Sequence, residues 1–189
     1  MRKTLAMMAC GFLLVGSVAA AEMVENPTYQ NWAKYKPGTS ITHTQATAVA
    51  GMDMQMEMTQ TLKEITPEKA VVEMSVKSAM IPGKPQGHAM DIPAKIEASQ
   101  VQSTGKMPEG MKGEAKSLGK EKVKVGEKEY ECEVTAFKGE SEGMKSEGKS
   151  WTSDQVPGSM VKMEMKAAGG EGNEGNMETK MTLKSVEIK

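Results

Sequence analysis

The sequence predicts a mainly β protein: a single curved antiparallel sheet or half-open barrel of seven to eight strands, with one short N-terminal helix. The first observation is the segment Gly51–Leu62, where methionine occupies every second position from Met52 to Met58 and polar residues lie between. A period of two places side chains alternately on the two faces of a strand, whereas a helix would spread the four thioethers around its axis. The second observation is that similar alternation recurs along the chain, which indicates a sheet with one apolar and one water-facing side.

The chain opens with the features of a secretory leader. Two basic residues precede an apolar run from Leu5 to Val18, and Ala19–Ala21 supplies a small-residue cleavage site. The run is too short for a transmembrane helix, and no later segment is apolar enough to be one. We therefore expect residues 1–21 to be a signal peptide and residues 22–189 to form one β-rich domain, exported to the periplasm or secreted.

The composition argues against nucleic-acid binding and offers little for catalysis. The 24 basic and 25 acidic side chains are interspersed, so no basic footprint forms. Only two histidines are present, His43 and His88, and no nucleophile lies at a useful spacing from either. Cys132 is the only cysteine after the leader and shares a strand face with Tyr130 and Val134, which favours a buried thiol. We expect a protein that is not an enzyme and has no cofactor.

A short helix is expected near the start of the domain. Asn26 is a good N-cap, Pro27 suits the first turn, and the helix would run from Thr28 to Tyr35 before Pro37-Gly38 ends it. Its aromatic residues, with Trp32 at the centre, lie roughly on one side. The helix is therefore expected to pack this side against the sheet.

The alternation and turn residues set the expected strands, which cover 39–49, 52–62, 70–77, 92–96, 122–125, 128–137, 161–167 and 177–188. The turn at Gly126-Glu127 gives the clearest hairpin, and Pro157-Gly158 fits a type II turn. In the last strand the apolar parity switches after Leu183, which indicates a bulge. Residues 99–120 are polar and aperiodic and are expected to be flexible, and 139–148 is expected to be a loop.

Three stretches, Asn31–Gly38, Gly126–Cys132 and Lys149–Lys162, together resemble a group of uncharacterised secreted bacterial proteins. More distantly, the hairpin that contains Trp151 and Pro157-Gly158 is similar to one in the half-barrel superfamily of outer-membrane lipoprotein carriers. This resemblance implies a curved sheet that holds acyl chains on its concave face. The methionine alternation is not part of that superfamily's pattern.

These observations favour an exported, non-catalytic binding protein that holds a lipid acyl chain or an apolar protein segment on the concave face, because thioether side chains form an adaptable apolar surface. The candidate ligand-contacting residues are Met52, Met54, Met56, Met58, Met163, Met165, Trp32 and Trp151.

Two alternatives remain open. The first is a periplasmic Cu(I)-binding protein that uses the Met52–Met58 ladder, with His43 on the preceding strand, because thioether sulfur is a soft ligand. Same-face residues along one strand lie about 7 Å apart, which weakens this alternative. The second is a structural, envelope-interacting protein that has no ligand.

Overall fold

A computed structural model describes residues 22–49, 52–78, 86–98, 112–141, 144–169 and 176–189. The predicted signal peptide and residues 99–111 of the predicted flexible segment lie outside the described residues. Within the described ranges the chain is mainly β, with one short helix, as the sequence predicts. The predicted number of seven to eight strands is wrong, because the described residues form eleven strands.

The helix α1 spans Pro27–Trp32. The strands are β1 (Met23–Glu25), β2 (Ser40–Val49), β3 (Met52–Ile65), β4 (Lys69–Ser78), β5 (Gln86–Pro93), β6 (Lys95–Glu97), β7 (Lys112–Val125), β8 (Lys128–Ser141), β9 (Met144–Thr152), β10 (Met160–Ala168) and β11 (Met177–Glu187). Nine strands form one open antiparallel sheet in the order β5-β4-β3-β2-β11-β10-β9-β8-β7, while β1 and β6 pair separately. The chain therefore folds as two sheets rather than the predicted single one.

The strands beyond the expected eight are β1, β9, and one of the pair β5 and β6, which replaces the single strand expected at 92–96. The polar segments around β8 also form more strand than expected. Strand β8 pairs along nearly its whole length with β7 on one side, and from Glu133 to Ser141 with β9 on the other. Residues 112–120, expected to be flexible, belong to β7, and most of the expected loop 139–148 belongs to β8 and β9. The charged residues of these segments alternate mainly with glycine, alanine and serine, so the segments lack the alternation of large apolar residues that reveals a strand. Backbone hydrogen bonds to β8 hold them in the sheet instead.

Helix α1 begins as predicted and ends early. The Asn26 side chain accepts a hydrogen bond from the Thr28 amide at 3.0 Å and donates one to the Pro93 carbonyl at 2.8 Å. The helix stops at Trp32 because the Tyr35 amide bonds to the Trp32 carbonyl at 3.0 Å, three residues back rather than four. Such bonds tighten a final turn and do not extend an α-helix.

The loop after β9 and α1 together seal one end of the core. The Asn31 side chain accepts from the Gly158 amide at 2.7 Å and donates to the Asp154 carbonyl at 3.4 Å. Gly158 has φ +72°, as a type II turn requires, and a Cβ there would lie 3.4 Å from Trp32 and 3.5 Å from Ile41. The loop is therefore packed directly on the helix and on β2.

The nine-stranded sheet is coiled rather than flat. Cα atoms of β7 and β11 approach within 8 Å although three strands lie between them. In a flat sheet four strand spacings would separate them by roughly 19 Å. The register also shifts between Leu183 and Ser185, which confirms the bulge predicted in the last strand. A second shift lies between Leu62 and Glu64 on β3.

Gly148 on β9 lies at a close approach within the coiled sheet. A Cβ there would meet the Glu164 carbonyl oxygen and would lie 2.6 Å from Cζ of Phe137, which is itself buried. Neither neighbour can move aside easily, because the Glu164 oxygen belongs to the backbone of β10 and the Phe137 ring is packed in the interior. Only glycine fits at this position without displacing them.

We expect Gly148→Ala to lower the free energy of unfolding by about 1–3 kcal/mol, the usual range for overpacking a filled site. Gly87→Ala on β5 is the matched control, because its added Cβ would meet only the end of the flexible Glu73 side chain, at 3.3 Å. Urea unfolding monitored by circular dichroism measures both. Equal destabilisation by the two substitutions would contradict this account of Gly148.

Candidate functional site

The methionines of the central strands lie on one face of the sheet. The cross-strand register places them on the face that also carries the core residues Ile41, Leu62 and Leu183, which we call the apolar face. Eight of them are half-buried. This methionine surface consists of Met54, Met56 and Met58 on β3, Met74 on β4, Met163 and Met165 on β10, and Met177 and Met181 on β11.

On strands β3 and β4, burial falls along the apolar face with distance from α1. On β3 the exposed fraction is 0% at Leu62, intermediate from Met58 to Met54, and 62% at Met52. On β4 it rises from 0% at Val72 to 38% at Val76. On these two strands the dry core therefore ends partway along their length, and methionine is the main apolar residue where the face opens to solvent.

A polar strip crosses the methionine surface on β2 and β11. Thr47 and Thr179 are cross-strand partners whose hydroxyl oxygens lie 3.3 Å apart, and the Gln45 amide donates to Thr47 at 3.3 Å. Both threonines are buried. The methionines of β3 are thus separated by hydrogen-bonding groups from those of β10 and β11, where Met163 and Met181 pair directly.

His43 lies next to the methionine ladder but is already engaged. It pairs with Met58 across β2 and β3, as the sequence suggested, and is only 2% exposed. Its Nε2 donates to the Met160 carbonyl at 2.9 Å, since a carbonyl only accepts. Burial lowers the pKa of His43, and the hydrogen bond to Met160 partly offsets this effect. A copper site on the Met52–Met58 ladder would therefore have to use thioether ligands, because the Nε2 nitrogen of His43 is already bonded to the Met160 carbonyl.

The two tryptophans proposed as ligand contacts are packed inside. Trp32 is 1% exposed and belongs to the core under α1. Trp151 is 6% exposed, its Nε1 donates to the Glu121 carboxylate at 2.8 Å, and the Lys162 ammonium lies 4.4 Å from its ring centroid. Neither ring is accessible to a ligand in this structure, so the methionines alone form the open part of the predicted site.

Cys132 is the buried thiol that its strand position predicts. It is fully buried, and its Sγ lies 3.6 Å from the Tyr130 carbonyl. Burial raises the pKa of the Cys132 thiol, and the Glu121 carboxylate raises it further. A thiol held protonated in this way is a poor nucleophile.

The opposite face carries a row of alternating charges that sequence reasoning missed. Glu114, Lys138, Glu147, Lys166 and Glu178 are in register on five adjacent strands. Lys138 pairs with Glu147 at 3.2 Å and Lys166 with Glu178 at 3.9 Å. The row lines an open cavity of about 870 Å³. It escapes detection in the sequence because β7 and β9 are not predicted there.

The described residues contain neither a metal cluster of the usual kind nor a helix that could span a membrane. No group of three or more His, Cys, Asp or Glu side chains within the described ranges is arranged to hold a metal ion. In the same part of the chain, no helix has the length and hydropathy needed to cross a bilayer.

Comparison with solved structures supports the fold. A Bacteroides fragilis protein, described as exported and as having a YmcC-like fold, superposes with TM-score 0.51 at 11% identity, covering 81% of this chain and 97% of that one. A DUF1329 family protein from Desulfovibrio piger gives TM-score 0.26 at 7% identity, covering 85% of this chain and 91% of that one. A lipoprotein-sorting domain from Vibrio parahaemolyticus gives TM-score 0.28 at 11% identity, covering 85% of this chain and 89% of that one.

The first of these three proteins shares the fold, and no argument rests on the low TM-scores of the other two. The shared fold agrees with the resemblance to secreted bacterial proteins that the sequence indicates. No protein-family model and no curated protein matches the chain.

The burial of His43 makes a specific pH dependence testable. Its pKa in the folded protein lies below the ordinary value of 6.5, so the unfolded chain binds the proton more readily. The stability contributed by neutral His43 is therefore complete above about pH 6.5 and is lost as the pH falls through the folded pKa. We expect His43→Gln, which keeps a donor for the Met160 carbonyl, to reduce the loss of stability between about pH 7.5 and 5.5.

Urea midpoints at several pH values measure this effect. His88→Gln is the matched control, because His88 is exposed, and it should leave the wild-type slope unchanged. An unchanged slope in His43→Gln would show that other groups carry the pH dependence.

Proposed function

We propose that this is an exported, non-catalytic protein that binds an acyl chain or an apolar protein segment on the methionine surface. The observation that carries the proposal is the burial gradient. The sheet face that forms the core continues past the sealed end as a row of half-buried thioethers, and it reaches 62% exposure at Met52.

Methionine suits a surface that must fit chains of variable shape. The side chain is unbranched and its sulfur is polarisable, so it repacks around different partners with little strain. Each methylene of a ligand removed from water contributes about 0.8 kcal/mol. Several methylenes laid across β3, β2 and β11 would therefore give useful affinity without any catalytic group.

The filled core limits where the ligand can lie. Trp32, Ile41 and Leu62 are at most 1% exposed and leave the space under α1 packed. An acyl chain must therefore lie beyond the loop 153–159, along the methionine surface. The polar strip of Thr47 and Thr179 would cross its path and favours a ligand that carries a carbonyl or carboxylate near one end.

Export is part of the proposal and has two supports. The predicted leader at residues 1–21 directs the chain out of the cytoplasm. The Bacteroides protein that shares the fold is itself described as exported. Binding of lipid is supported by the methionine surface itself and not by that likeness, which shows the fold alone.

We expect Met56→Glu to weaken binding of a fluorescent fatty acid by about tenfold or more, because a charge placed against an acyl chain loses its hydration. Gln55→Glu is the matched control: it lies one residue away on the same strand and faces the polar side. It should change the affinity by less than about twofold, which corresponds to only some 0.4 kcal/mol. Fluorescence titration measures both proteins.

A second variant separates the proposal from its alternatives. Met54→Leu/Met56→Leu nearly conserves volume and apolar character, so fatty-acid binding should survive. Copper binding by the ladder would be lost in the same variant. If native mass spectrometry shows a bare mass and the wild-type protein takes up no fatty acid, the protein has a structural role and the proposal is wrong.

A further inference from the structure

The exposed histidine lies beside two methionines at the edge of the sheet. His88 on β5 is the direct cross-strand partner of Met74 on β4. Met90 follows two residues later on β5 and shares the same face. His88 is exposed, and Met90 is 41% exposed. One imidazole and two thioethers therefore lie together where solvent can reach them.

We propose that Met74, His88 and Met90 form a binding site for the soft monovalent cation Cu(I) at the β5 edge of the nine-stranded sheet. The site shares Met74 with the methionine surface but adds His88 and Met90 of β5, which lie outside that surface. It also differs from the Met52–Met58 ladder, whose nearby histidine is buried and bonded to a carbonyl.

The strand register gives the three ligands compatible spacing. Directly paired residues have Cβ atoms about 4.5–5.5 Å apart, and diagonal neighbours such as Met74 and Met90 are about 7–8 Å apart, still within reach of long side chains. Two ligand atoms on one ion lie roughly 3.5–4 Å apart for bond lengths of about 2.0–2.3 Å. From this Cβ separation, rotation of the Met74 and His88 side chains can bring sulfur and ring nitrogen to the required spacing, and the three rotatable bonds of Met90 allow its sulfur to reach the same point.

The chemistry of this face selects a soft cation. Among the described residues of β3, β4 and β5, no carboxylate shares the face with His88; Glu73 and Asp91 lie on the other side, where they pair with Lys63 and Lys69. Hard cations such as Mg²⁺ and Ca²⁺ are usually held by several oxygen ligands that include carboxylates, and the described part of this face carries no carboxylate. Thioether sulfur needs no deprotonation, and together with imidazole it suits Cu(I).

The test is an anaerobic competition titration in which the purified full chain competes with a chromophoric Cu(I) chelator. We expect the wild-type chain to withdraw Cu(I) from the chelator. His88→Gln and Met74→Leu should each weaken binding by at least about tenfold, the effect expected from losing one of three ligands. Met54→Leu/Met56→Leu, on the ladder, is the matched control and should bind as the wild type does.

Two further measurements keep the result clear. Circular dichroism of each variant establishes that the fold is retained, and nuclear magnetic resonance with Ag(I), a redox-stable substitute, should shift the His88 ring and the methyl groups of Met74 and Met90. The proposal is overturned if the wild-type chain withdraws no Cu(I). It is also overturned if the ladder variant loses binding while His88→Gln keeps it, or if Ag(I) shifts only other methionines.

Discussion

Strand β2 pairs along its whole length with β3 on one side and with β11 on the other. Because side chains alternate along each strand, this register places Ile41 and His43 on the same face as Leu183 and the methionines of β3. A slip of one residue would turn the methionines to the water-facing side. The dry core, the open methionine surface and the burial of His43 therefore all depend on this one set of backbone hydrogen bonds.

The same face serves different purposes along its length. Near α1 it is closed by Trp32 and by the loop that Asn31 holds in place, and its residues are almost fully buried. Further along β3 and β4 nothing in the described chain covers it to the same degree, and thioethers replace branched aliphatic side chains. The two histidines follow this gradient. His43 lies in the closed part and supports the fold, whereas His88 lies at the open edge and is available to a ligand.

The central strands could be predicted because apolar and polar residues alternate along them. Strands that lack this alternation could not be predicted from the sequence. The methionine ladder, the cap at Asn26 and the bulge after Leu183 each follow from a local pattern, and the structure contains all three. In β7 and β9 the charged residues alternate mainly with small residues, so only the pairing of these strands with their neighbours defines them. The burial of Trp32 and Trp151 was equally hidden, because whether an aromatic residue is sealed or open depends on contacts far apart in the chain.

The central claim is that the open continuation of the core face, and not the charged face, receives an apolar chain. Paramagnetic relaxation by a fatty acid carrying a nitroxide on its acyl tail tests this claim most directly. Methyl resonances of Met54, Met163 and Met181 should broaden much more strongly on addition of the labelled lipid than those of Ala46 and Ala48 on the opposite face of β2. Broadening of the alanine methyls with sharp methionine signals would contradict the account.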